Sequence, residues 1–164
     1  MTKLSQNDDV LKVQLEDIWP VMQEQISSGG SVRFGPKGTS MLPMLRQGID
    51  SVVIEKAPEK LKKYDLPLYR RENGQFVLHR VVGVRKSGYV MRGDNQFINE
   101  YDVLHSQILA IVTGFYRGDD FVSIDNKDYI KYVKSHILKR NLKILYTRIR
   151  SVMVRIIKKI LRMK

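Results

Sequence analysis

The chain has no cysteine among its 164 residues. Disulfide frameworks, thiolate nucleophiles and cysteine metal sites are therefore excluded, while the redox compartment stays open. Histidine is scarce. His79, His105 and His136 lie far apart and show no metal-ligand spacing, so neither a metal nor another cofactor is expected. No apolar run reaches the ~18–20 residues of a membrane-spanning helix. The first residues include Asp8 and Asp9 and no compact apolar region, so a secretory signal is not expected there. Acidic residues are missing altogether from Tyr129 to Lys164, where 12 Lys and Arg stand alone. The rest of the chain holds 17 basic residues against 17 acidic ones. The net charge of +12 thus belongs to the C-terminal tail. The body is electrically ordinary, and the overall pI of 9.9 does not mark a nucleic-acid binder.

What is present is a globular chain, 43% hydrophobic and long enough for one domain with a core. From Asp8, the apolar residues Leu11, Leu15, Ile18, Met22 and Ile26 recur at helical spacing, with a kink or restart expected at Pro20. Ser27-Ser28-Gly29-Gly30 ends this amphipathic segment, 1–30. Short strands follow: Ser31–Phe34, Ser51–Lys56, Leu66–Arg71, Phe76–Lys86, Tyr89–Arg92, Ile108–Arg117 and Phe121–Ile124. Pro67 places Leu66–Arg71 at a sheet edge, and Asn73-Gly74 marks a hairpin. Many strands joined by turns, with few helices, predict a mainly β, antiparallel, coiled or barrel-like sheet over 31–124. Asp125 or Asn126 can cap a final basic helix over 125–164, which a break near Ser135 or Asn141 would divide.

Three segments carry chemistry. Gly38-Thr39-Ser40-Met41-Leu42-Pro43 presents a serine in a turn, which the apolar residues after it would bury and stiffen. Serine becomes a nucleophile only when a neighbouring base takes its proton. His79 interrupts the apolar run Phe76-Val77-Leu78…Val81-Val82, and strand alternation puts it on the face of Val77 and Val81, opposite Arg80. A neutral imidazole is a competent base near pH 7. Asp94, in Gly93-Asp94-Asn95, is one acid able to orient it; Glu100 and Asp102 are others. Each segment alone also has a plain reading, as a loop serine, a structural histidine and a β-turn.

In order and spacing, Ser40-Met41-Leu42-Pro43, His79-Arg80-Val81 and Gly93-Asp94-Asn95, followed by the strand with Gly114, resemble the signal peptidase I family and its LexA-like relatives. The resemblance covers roughly 31–117. It implies a LexA/signal-peptidase-like coiled β-fold and a serine endopeptidase that cleaves a leader or signal-like segment. Ser40 is then the nucleophile. His79 stands where many members carry Lys, as in the histidine-type branch. Glu100 or Asp94 assists, with Asp102 ranked after them. For the oxyanion, the Ser40 backbone N–H is the first donor. Position 38 is Gly where many signal peptidases have Ser or Thr, so Thr39 or another N–H would compensate. The substrate would lie extended beside Gly38, Thr39 and Met41, added to the sheet as a strand. Gly48-Ile49-Asp50 and Leu66-Pro67-Leu68 depart from the family outline. The alternatives are a LexA-like self-cleaving domain and an inert module of the same fold that binds a membrane or partner.

In the tail, Ile149, Val152, Met153, Ile156, Ile160 and Met163 recur at helical spacing, with Arg148, Arg155, Lys158, Lys159 and Arg162 on another side. This pattern suits a helix lying on an anionic membrane, which implies a peripheral-membrane or cytoplasmic protein. It equally suits a terminal helix packed on the domain.

Overall fold

The computed structural model describes residues 15–161. Leu11, Arg162 and Met163 lie outside the described residues, as does the side chain of Ile160. Helix α1, Leu15–Ser27, is followed by nine strands and a closing helix α2, Lys127–Leu161. The strands are β1 Val32–Phe34, β2 Asp50–Glu55, β3 Pro67–Arg70, β4 Phe76–Leu78, β5 Arg80–Arg85, β6 Gly88–Arg92, β7 Glu100–Val103, β8 Ile108–Arg117 and β9 Asp120–Ser123. The protein is mainly β, with antiparallel sheets and one helix at each end of the described chain.

Two sheets form. The larger has the order β1-β2-β8-β3-β4, with β9 paired to the second half of β8. The smaller is the meander β5-β6-β7. Period-two alternation divides the side chains of the larger sheet between two cores. Leu68, Leu78, Ala110 and Val112 face α1, the Met41–Leu45 turn and the start of α2, packing with Trp19, Met22, Met44 and Tyr129. Tyr69, Val77 and Ile111 face the smaller sheet, packing with Val81, Tyr89 and Met91. Each such fully buried apolar side chain stabilises by about 1.5–3 kcal/mol relative to exposure.

The structure revises several expectations. Phe76–Lys86 is not one strand: it breaks at His79, and the chain crosses there from the larger sheet to the smaller. β3 is interior, between β8 and β4, not an edge. Pro67 is its first residue, where a missing N–H is tolerated. Strand β7 went unrecognised because Glu-Tyr-Asp-Val carries charges at alternate positions and little apolar signal. Helix α1 continues through Pro20 and buries Trp19 with Met22 and Ile26, while Ile18 is turned outward. Helix α2 is unbroken past Ser135 and Asn141. Asn126 caps it, its Oδ1 accepting from the N–H groups of Asp128 (2.8 Å) and Tyr129 (3.1 Å). Among the described residues, no helix is long and apolar enough to cross a membrane.

Candidate active site

Ser40 sits in the turn between β1 and β2, whose Met41, Met44 and Leu45 are sunk in the core. Gly38 before it has φ +94°, a conformation that glycine adopts without strain. Its N–H donates to Gln47 Oε1 at 2.6 Å, and the Leu42–Pro43 peptide is cis. The Gly93 turn supports Ser40 from behind. Asn95 N–H donates to the Ser40 carbonyl at 2.8 Å, and Asn95 Nδ2 to that of Thr39 at 3.3 Å. A Cβ on Gly93 would stand 2.6 Å from the Ser40 carbonyl oxygen, so only glycine lets the two turns approach this closely. The Ser40 N–H has no hydrogen-bond partner among the described residues, which leaves it as a donor to a bound oxyanion.

Ser40 and His79 line the same cavity, of about 430 Å³, together with Gly38, Thr39, Met41 and Arg71. His79 is buried at the crossing between the sheets. Its Nδ1 lies 3.2 Å from the Tyr69 hydroxyl, which donates to Glu100 Oε2 at 2.8 Å. An ionised carboxylate only accepts, so the phenol proton belongs to that bond. The phenol oxygen must then accept from His79, which places the imidazole proton on Nδ1 and the lone pair on Nε2. Nε2 has no hydrogen-bond partner among the described residues, and none of the buried side-chain nitrogens and oxygens there lacks one. Nε2 therefore meets solvent in the cavity. This is the tautomer a general base needs.

Burial pushes the His79 pKa down to about 4, with the Arg71 guanidinium acting in the same direction against Glu100 and Asp94. The imidazole is neutral at physiological pH. Arg71 holds Glu100 in a fork, with Nη2 2.6 Å from Oε2 and Nε 2.9 Å from Oε1. Burial works against the Glu100 carboxylate, but Arg71 and Tyr69 outweigh it and hold its pKa below the usual range. Burial and the neighbouring Glu100 raise the pKa of Tyr69, so it remains a phenol.

The two acids singled out in the sequence part company. Asp94 is buried on Arg80, which grips it through Nε (2.8 Å) and Nη2 (2.7 Å), and it makes no hydrogen bond to His79. Arg80 is itself fully buried and also donates to the Tyr64 carbonyl, the Tyr129 hydroxyl and Met44 Sδ. Burial disfavours its charge, yet Asp94 more than compensates, and its pKa is raised. Asp94 thus ties the Gly93 turn to the core rather than orienting the imidazole. Glu100 reaches His79, but through Tyr69. Asp102 is exposed and bonded by Ser87. Tyr69 itself escaped notice because an aromatic residue in an apolar strand is the ordinary signal of a core position. Only the spatial meeting of residues 69, 79 and 100 distinguishes it.

Helix α2 reaches the same turn. His136 Nε2 donates to the Asp94 carbonyl at 2.9 Å, Arg140 Nη2 to Asn95 Oδ1 at 3.2 Å, and Asn141 accepts from Arg92 at 2.7 Å. Among the described residues, no group of His, Asp and Glu gathers as a metal site would require. No protein-family model matches the chain, and no curated protein does.

Proposed function

We propose that the protein is a serine endopeptidase of the signal-peptidase type, on a LexA/signal-peptidase-like coiled β-fold. In this proposal it cleaves within a leader-like peptide segment. The observation that carries the reading is the shared cavity, lined by Ser40 and by a neutral His79 whose Nδ1–H is held by Tyr69 and whose Nε2 keeps its lone pair. In the reaction, His79 Nε2 takes the Ser40 hydroxyl proton as Oγ attacks a peptide carbonyl carbon. The Ser40 N–H, joined by the Thr39 hydroxyl, stabilises the oxyanion. The imidazolium then gives its proton to the leaving amine. Water, deprotonated by the same nitrogen, hydrolyses the acyl-enzyme. Throughout, Nδ1–H stays on Tyr69, so that Glu100 stabilises the transient imidazolium at one remove.

The larger sheet ends beside the cavity. β4 is the terminal strand of the larger sheet, and Gln75, Phe76, Val77 and Leu78 line the cavity opposite the Ser40 turn. An extended peptide pairs with that edge, which no described strand covers, and passes its carbonyl to Ser40.

The test is incubation of the full chain with a mixed peptide library, read by mass spectrometry. Wild type yields discrete cleavage products. Ser40→Ala and His79→Ala each lose at least ~10³-fold in rate while keeping the native circular dichroism spectrum. Products from either variant at the wild-type rate, or none from wild type, would overturn the proposal.

A further inference from the structure

The exposed part of α2 presents an apolar stripe that no described residue of the body covers. At about 100° per residue, Tyr129, Val133 and Ile137, which are buried, share one side of the helix with His136, Arg140 and Asn141. That side is fastened to the body. Leu138, Leu142, Leu145, Ile149, Val152 and Ile156 form a second stripe, turned about 140° from the first. Leu138 is 61% exposed, Ile149 51% and Ile156 53%. The distal stripe therefore does not continue the core-facing one, and the helix cannot lay it on the domain without unfastening its root. From Leu138 to Leu161 the helix spans roughly 36 Å at 1.5 Å per residue.

We infer that this stripe is a docking surface for an anionic lipid bilayer. Lys139 and Arg150 stand on one flank of it and Arg148, Arg155 and Lys159 on the other, with Lys158 behind, all exposed. Lys143 is turned to the body, its Nζ 5.6 Å from the Phe97 ring centroid. No acidic residue occurs in the helix after Asp128. Exposed Met153 and Ile157 widen this apolar face. An apolar face accompanied by cations and no acids matches acyl chains beneath anionic headgroups. A second copy of the chain matches poorly, because two such helices packed stripe to stripe would bring like charges together without a counter-charge. Docking would also orient the body, since the fastened root of α2 holds the Gly93 turn that backs Ser40.

The experiment is sedimentation of the full chain with vesicles of phosphatidylcholine carrying a one-third share of phosphatidylglycerol, against vesicles of phosphatidylcholine alone. Binding is expected to the anionic vesicles, to weaken with salt, and to be at least tenfold weaker on the neutral ones. Each base near an anionic surface contributes about fivefold, so Arg155→Gln, Lys158→Gln and Lys159→Gln together weaken binding on the order of 100-fold. Ile149→Glu with Ile156→Glu abolishes it. All five positions are exposed, so both variants keep the native fold. Equal binding to both vesicle types, or unchanged binding of the double glutamate variant, overturns the inference. So does a stripe-dependent dimer in sedimentation velocity that ignores vesicles. Ser40→Ala binds like wild type, so the lipid result and the peptidase result stand or fall separately.

Discussion

Replacing Tyr69 with Phe removes one oxygen and tests the whole His79 arrangement. In the native protein that oxygen accepts from His79 Nδ1–H and donates to Glu100 Oε2. Its loss leaves a buried N–H without a partner, which costs about 1–3 kcal/mol. Glu100 keeps Arg71, whose fork is untouched, so the carboxylate loses less. The ring fills the same space, and its neighbours Val77, Val81 and Met91 keep their contacts. The expected fall in urea stability is therefore about 1–3 kcal/mol with an unchanged denaturant slope. The second readout is the imidazole itself. In wild type, nitrogen-15 shifts of His79 report the Nδ1–H tautomer. In Tyr69→Phe the two tautomers mix, and kcat against any cleaved peptide falls about 10–100-fold, equivalent to about 1.4–2.7 kcal/mol, with KM little changed. A merely structural tyrosine would lower stability and leave the tautomer alone. An unmixed Nδ1–H tautomer in the variant refutes the relay.

Two further predictions follow from buried charge. Because the folded pKa of His79 is about 4 against an ordinary 6.5, the unfolded chain binds more protons between those values. Stability therefore rises with pH across that window, by up to about 3 kcal/mol, and is lost as pH falls through it. Urea titrations from pH 4 to 7 should show this slope in wild type and a flatter one in His79→Gln; equal slopes would refute the assignment. Arg80→Met leaves Asp94 buried and uncompensated, at a cost of about 3–5 kcal/mol by denaturant unfolding. Adding Asp94→Asn should restore part of that loss, and a double variant no more stable than the single one would argue against the pair as the source.

Much of the strand order was legible because it depends on local signals. Asn73-Gly74 turns the β3–β4 hairpin, with Gly74 at φ +86° and Gln75 N–H on Asn73 Oδ1. Asn126 caps α2 as its position before the helical run suggests. The break at His79 was not legible, since Phe76–Lys86 reads as one apolar run and the crossing depends on which sheet each half joins. Pro67 does not mark an edge, because it begins its strand, where no ladder N–H is needed.

The order of residues alone marks where chemistry could reside: a serine in a Gly-bearing turn, a histidine interrupting an apolar run, and a tail of cations without acids. Composition, turn chemistry and periodicity are properties of neighbouring residues, and they survive without a fold. Tertiary structure decided the partnerships. It gave Asp94 to Arg80, interposed Tyr69 between His79 and Glu100, and turned the distal stripe of α2 away from the body. Those outcomes depend on residues 10 to 31 positions apart meeting across two sheets, and on the angle at which a helix is fastened. No local pattern encodes either.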